Sequence, residues 1–354
     1  MNKKLLSVVI GAALSASINV AQADVQLYGQ VDVSVDSHDC DNDRCNGYSS
    51  KYQDGASQNM NMNGNFSYLG VKGSEDLGNG LKAIFNAMFA FDPAGDTAGL
   101  SSNEKWLGVA SDFGTVRAGT VTTPYNDHGG MIDPFSGTSL AGSTAGLQSA
   151  SLHDSTANAV SNDYAGGLSN RTMRFDSMDY NGLSASAFYT MGGRSSTTDL
   201  SHNPDNAYGL GGQYKNGNIL AFADYLTANT DLGPNTNDTA WDLGGQYTMG
   251  NIGMFGMYEQ GGLVSSSLRA SANNWHLGGS FTMGNTLAYL AYGQGDGDVN
   301  GTSADEFTAW TLGVKHNLST RTSVYAGFNQ IDYDGSAPTS GQSDHFGMGM
   351  DVKF

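Results

Sequence analysis

Residues 344–354, DHFGMGMDVKF, place Phe354, Val352, Met350, Met348 and Phe346 on every second position, with Lys353, Asp351, Gly349, Gly347 and His345 between them. A period of two is that of a strand whose side chains alternate between faces. A soluble sheet turns its apolar face onto a core, but a strand that ends a chain usually lies at an edge, where unpaired N–H and C=O groups invite association. What the apolar side of this strand faces decides the fold.

The same alternation recurs upstream. Val25, Leu27, Gly29, Val31, Val33 and Val35 alternate with Gln26, Tyr28, Gln30, Asp32 and Ser34. Trp241, Leu243, Gly245, Tyr247 and Met249 alternate with Asp242, Gly244, Gln246 and Thr248, and Trp275, Leu277, Gly279, Phe281 and Met283 with His276, Gly278, Ser280 and Thr282. Parity blurs in 218–228, 251–260 and 286–294, where Leu220, Phe222, Phe255, Met257 and Leu290 fall out of step. Sixteen segments read as strands: 24–35, 62–73, 80–91, 103–111, 115–122, 171–180, 183–191, 207–215, 218–228, 240–249, 251–260, 273–283, 286–294, 307–316, 323–333 and 344–354.

Short turns at 74–79, 112–114, 181–182, 216–217, 250, 284–285 and 317–322, several with Asn-Gly or Gly-Asn hairpin signals, alternate strictly with longer polar connections. The longer ones are 36–61, 92–102, 123–170, 192–206, 229–239, 261–272, 295–306 and 334–343. Strands running up and down then put every long loop on one rim and every tight turn on the other, the layout of an outer-membrane barrel. A β-sandwich also alternates, but its usual strands of about 5–6 residues are shorter than these. Closure removes the edge and lets the apolar face meet lipid. The expected fold is therefore all-β, a 16-stranded antiparallel transmembrane β-barrel.

Composition agrees: 49 Gly, 6 Pro and 14% charged residues suit no sustained helical stripe. Lys3 and Lys4, the apolar run Leu5 to Ala13 and the small-residue site Ala21-Gln22-Ala23 read as a signal peptide, residues 1–23, cleaved before Asp24. Residues 24–354 then form one domain, with no apolar run long enough for a transmembrane helix. The formal net charge of −18, more negative once Lys3 and Lys4 are lost, argues against nucleic acid as a partner. Cys40 and Cys45 lie close together in HDCDNDRCNGY. In an oxidising compartment they read as a small disulfide-closed loop, with a divalent cation held by Asp39, Asp41 and Asp43 as the rival. No cofactor is expected.

Several stretches taken in order resemble the general bacterial porin family of trimeric, 16-stranded diffusion channels. They are DVQLYGQVDVSV at 24–35, SYLGVKGSEDLGNGLKAIF at 67–85, WLGVASDFGTVRAG at 106–119, MRFDSMDYNGLSASAFY at 173–189, TSVYAGF at 322–328 and the final Phe354. The resemblance implies an outer-membrane location in a Gram-negative bacterium and a homotrimer latched through the loop 92–102. It also implies contacts with lipid and lipopolysaccharide, and an assembly signal at Phe354 read by the barrel-assembly machinery.

By the same resemblance, the connection 123–170 folds inward as a constriction loop. Its MIDPFSGTS at 131–139 is similar to the family's acidic motif and places Asp133 as the eyelet carboxylate. Asp127, His128, His153, Asp154 and Asp163 share that loop. Departures from the family pattern are Tyr68 and Gly119-Thr120, where Arg and Gly-Arg are common, Asp176 in place of a basic residue, and Met88 in place of Glu. Lys72, Lys82, Arg117 and Arg174 remain as inward basic candidates by parity.

The expected function is passive diffusion of small hydrophilic solutes and ions, with preference for cations because acidic rings bias ion entry. The alternative is a substrate-specific channel, for which Tyr28, Tyr68, Phe188 and Tyr325 have inward parity. An enzyme is disfavoured, because the seven His at 38, 128, 153, 202, 276, 316 and 345 form no compact catalytic constellation. A surface adhesin would be distinguished by an absence of conductance.

Overall fold

The computed structural model describes residues 24–40, 59–95, 99–138, 140, 168–191, 206–229, 237–264, 269–299, 302–334 and 341–354. Its strands are β1 (Asp24–Cys40), β2 (Asn59–Gly64), β3 (Ser67–Gly78), β4 (Leu81–Phe91), β5 (Ser101–Ser111), β6 (Gly114–Thr122), β7 (Leu168–Ser177), β8 (Leu183–Met191), β9 (Asn206–Asn216), β10 (Ile219–Asn229), β11 (Asn237–Met249), β12 (Ile252–Val264), β13 (Arg269–Met283), β14 (Thr286–Val299), β15 (Thr302–Asn317), β16 (Thr322–Asp334) and β17 (Gly341–Lys353).

From β3 onward each strand pairs antiparallel with the next, and β17 returns to β1 from Gln30↔Lys353 to Cys40↔Ser343. On its other side β1 meets β3 from Asp24↔Ser74 to Gln30↔Tyr68, then β2 from Val33↔Gly64 to His38↔Asn59. β2 and β3 are thus one wall strand interrupted at Asn65-Phe66. The described wall is a closed ring of sixteen antiparallel strands, which leaves no sheet edge.

Closure answers the question posed by the last strand. In β17, Phe346, Met348 and Met350 are exposed on the outside while His345 and Asp351 are buried on the inside. Leu243, Leu277, Leu290 and Leu312 are likewise exposed on the outer face of their strands, an apolar band that suits hydrocarbon and would not suit water. Outward aromatic pairs, Trp241–Tyr258 at 5.3 Å, Trp275–Tyr292 at 5.8 Å and Trp310–Phe328 at 5.1 Å between centroids, lie toward the rim of the longer connections. They occupy the position of an interfacial aromatic girdle.

The tight turns use left-handed backbone where the sequence supplies Asn-Gly: Asn79 and Gly80 have φ of 56° and 78°, Asn181 and Gly182 of 54° and 92°. Positive φ at both positions matches a hairpin turn to the twist of its strands. The first turn is narrower than the expected 74–79, because Ser74 to Asp76 continue to pair with β4 and a bulge at Asp76/Gly78 absorbs the remainder.

At the opposite rim β12, β13, β14 and β15 run past the boundaries expected from hydrophobic pattern. Their polar ends go on satisfying each other's backbone groups beyond the apolar band. The expected long connections 261–272 and 295–306 are correspondingly reduced to 265–268 and 300–301 between strand ends. Residues 1–23, Asp41, Asp43 and Cys45 lie outside the described residues, as do Asp154 and Asp163; the backbone of Cys40 ends β1, so the expected disulfide cannot be placed.

Candidate functional site: the segment inside the barrel

After β6 the chain turns into the barrel. Thr123 caps a short helix, α1 (Pro124–Gly129), by accepting the amide of Asn126, and Pro124 occupies the first turn where its missing N–H costs nothing. A 3₁₀ turn at Gly130–Ile132 follows. The Asp133 carboxylate then accepts the amide of Phe135 at 2.8 Å, an Asx-type turn that reverses the chain. Gly137, at φ 81°, presents its carbonyl to the amide of Phe66 at 3.2 Å, so this tip is fastened to the break between β2 and β3.

Three kinds of contact hold the segment against the lumen wall. The first is a charged set at its start. Arg174 Nη1 donates to Asp127 at 2.6 Å and to the Thr122 carbonyl at 2.7 Å, while its Nε donates to Asp176 at 2.8 Å. Arg117 also reaches Asp176, at 2.6 Å, lies 3.7 Å from Glu104 and stacks over Trp106 at 5.2 Å. Such charge-assisted bonds are short and directional.

The second is a row of acids. Asp224, Asp242 and Glu259 stand directly opposite one another on β10, β11 and β12, all buried. The segment supplies partners to the two outer members: His128 Nδ1 lies 2.8 Å from Asp224, and the Tyr125 hydroxyl donates to Glu259 at 2.6 Å. Asn274 donates to the other oxygen of Glu259 at 2.7 Å. Asp242, in the middle, is packed against the Asp224 carboxylate and has no amide, hydroxyl or basic group donating to it. Burial, reinforced by the Glu259 carboxylate, holds the Tyr125 phenol well above its ordinary range, so it stays a donor.

The third is apolar. Ile132, Phe135 and Leu140 are buried against Phe222, Phe255, Met257, Tyr289 and Tyr325 of the wall. A Cβ at Gly313 would collide with the Phe135 ring and one at Gly327 would lie 2.7 Å from Leu140 Cδ1, so these glycines leave the hollow that the segment fills. Burial of each large side chain contributes roughly 2 kcal/mol to docking. Phe222, Phe255 and Met257, which blur the strand alternation, are inward residues and form this seat; Leu290 points outward in step, and it is inward Leu287 and Tyr289 that blur its strand.

The remaining sequence-derived residues distribute as follows. Asp133, 5% exposed, is turned into the segment. Asp127, Arg117, Arg174 and Asp176 are brought together in one network. Lys72 lies with its ammonium 5.0 Å over the Tyr28 ring, and Tyr68 packs edge-on against Tyr28 at 5.9 Å. Lys82 is exposed near the tight-turn rim. Phe354 exchanges backbone hydrogen bonds with Gly29 at 3.0 Å in both directions, within the closing seam.

Sequence reasoning did not single out Asp224, Asp242 and Glu259 as a group, because they are distant in sequence and only strand register aligns them. Asp32, which accepts hydrogen bonds from Tyr325 at 2.7 Å and from Asn65, was not singled out either. Among the described residues no three His, Cys, Asp or Glu side chains are grouped to hold a metal ion.

The chain is similar to known proteins along nearly its whole length. It is 26% identical over 384 aligned residues to major outer membrane protein P.IA of Neisseria meningitidis serogroup C, covering 96% of this chain and 92% of that one. It is 25% identical over 225 residues to protein P.IB of Neisseria gonorrhoeae, covering 62% of this chain and 56% of that one. Among solved structures, an anion-selective porin from Comamonas acidovorans superposes with TM-score 0.76 at 21% identity, covering 94% of this chain and 100% of that one. OmpF of Salmonella typhi, in complex with daunomycin, superposes with TM-score 0.71 at 14% identity, covering 93% and 97%. The family model for Gram-negative porins matches residues 7–336. A match of that extent, on a ring closed from first strand to last around its own inserted segment, establishes that the chain belongs to the Gram-negative porin family, the diffusion channels of the outer membrane.

Proposed function

We propose that the channel prefers cations and neutral solutes, and that the segment from Thr123 to Leu140 is the constriction past which they diffuse. The observation that carries this is how the inward charges are paired. Among the described residues, the inward guanidinium groups of Arg117 and Arg174 are both committed to carboxylates, and Asp127, Asp176 and Glu104 around them more than match their charge. Lys315 is engaged by the Pro134 carbonyl at 3.4 Å. Further inward acids, Asp32, Asp36, Asp224, Glu259 and Asp351, line the rest of the wall. Carboxylates in a low-dielectric wall raise the local concentration of cations, and buried ones act on the lumen through the same field.

The anion selectivity named for the Comamonas protein belongs to that protein. At such low identity the likeness carries the fold alone, and polarity follows from this chain's own lining. The proposal includes removal of residues 1–23 as a signal peptide, assembly as a homotrimer, lipopolysaccharide around the outer band, and a role for Phe354 in delivery to the barrel-assembly machinery. Asp133 serves in this scheme by shaping the constriction through its turn.

The test is the reversal potential of the refolded protein in a planar bilayer under a KCl gradient. A potential of the sign set by K⁺ is expected; one set by Cl⁻ overturns the preference, and absence of conductance overturns the channel. Trimers are checked by migration on unboiled gels.

A further inference from the structure

Among the described residues, three aromatic rings stand together at the break between β2 and β3, apart from the segment's apolar seat. Phe66, at the break between β2 and β3, lies beside Gly137 of the inserted segment and is 43% exposed. Its ring lies 5.2 Å from that of Tyr68, and Tyr68 lies 5.9 Å from Tyr28. Tyr68 and Tyr28 are half-buried on the inward face, opposite Gln30 and Gly70 respectively. The three rings form a continuous strip that starts at the tip of the inserted segment, where the Phe66 amide is held by Gly137, and runs toward the tight-turn rim. The Tyr28 hydroxyl is fixed by Asn86 at 2.5 Å.

We propose that this strip is a binding subsite for neutral saccharides in transit, an inference that rests on the channel reading above and names a solute class for it. The faces left open are those of Phe66 and Tyr68, with the Tyr68 hydroxyl at their edge, while Lys72 sits over the Tyr28 ring and Gln30 and Asn86 are buried against the wall. A solute that suits it presents a C–H face to the rings and hydroxyl groups to the rim. Charged solutes fit less well. Lys72, already 5.0 Å over the Tyr28 ring, repels an organic cation at that end, and the acidic wall repels anions. A neutral pyranose meets both conditions. Phe66 and Tyr68, 5.2 Å apart and tilted by 46°, are the two rings a sugar unit meets, and Tyr28 stands edge-on behind Tyr68.

The experiment uses the refolded chain in planar bilayers, with maltotriose and cellotriose added to one side and benzyltrimethylammonium as a comparison probe. Saturable block of ion current by a trisaccharide is expected. Its half-block concentration should rise about tenfold in Phe66→Ala and in Tyr68→Ala, as for loss of one stacked ring, and stay within about twofold in Tyr68→Phe, which keeps the ring. Each variant's conductance without sugar is read first, so that a misfolded wall is recognised, and Tyr68→Phe against Tyr68→Ala carries the comparison if Phe66→Ala fails to insert. Intact conductance that neither trisaccharide reduces beyond a viscosity effect overturns the subsite and leaves the channel standing. Block by benzyltrimethylammonium alone overturns the assignment to saccharides. Absence of conductance in the unmodified chain removes the channel reading and this inference with it.

Discussion

Asp242 is buried against two other acids with no basic or donor group facing it, an arrangement that costs stability wherever all three carboxylates are ionised. Asp242→Asn should therefore raise the thermal unfolding midpoint in detergent, by the equivalent of about 1–3 kcal/mol; a lowered midpoint would show that the acid is compensated. Arg174→Ala does the opposite kind of damage. It strips Asp127 of its counter-charge, while Asp176 keeps Arg117 and the Ser186 hydroxyl. Because both carboxylates retain some water, the cost should be about 1–2 kcal/mol, below that of a fully buried pair. The more telling readout is the reversal potential, which should move further toward that of K⁺. Tyr125 gives a pH dependence whose sign follows from its raised phenol. The neutral donor's contribution is complete below the ordinary value of 10.0 and is lost as pH rises through the higher folded value. Open-channel noise should stay level from neutral pH to that value and rise above it, and Tyr125→Phe should abolish the rise.

At the scale of elements, the inserted segment is held more by its hydrophobic seat than by α1, which is too short to persist alone. Phe135 is fully buried among Tyr289, Tyr325 and Phe255, so Phe135→Ala should forfeit about 3 kcal/mol of docking. The wall, closed by its own ladder, should survive. We expect higher and noisier single-channel conductance with unchanged heat resistance on gels; loss of the folded band would show instead that the segment supports the wall. The seat was partly legible beforehand. Phe222, Phe255 and Met257 break parity in the sequence, but an inward apolar residue is indistinguishable there from a register error. Only the arrival of Ile132, Phe135 and Leu140 gives them a reason.

At the scale of the molecule, the proposed cation preference is a field effect and should weaken with salt. As KCl rises from 0.1 M to 1 M the screening length falls from about 10 Å to about 3 Å, and the cation preference should shrink accordingly. A ratio independent of salt would place the discrimination in steric fit. Apolar side chains outside and acids inside also mean that the folded chain should need detergent or lipid to remain dispersed.

The alternation of residue types, the tight-turn residues and the absence of long apolar runs determined by themselves that the chain forms a barrel of sixteen strands with its greasy face outward. These are local properties: each strand reports its two faces within a few residues, whatever the others do. The tertiary structure decided what lies inside. Asp224, Asp242 and Glu259 become neighbours only when three strands fall into register, and Asp133 turns into its own loop because Phe135 pulls that loop onto the wall. The direction of a lumenal side chain depends on which distant residue comes to meet it, and that long-range term is one that no local pattern encodes.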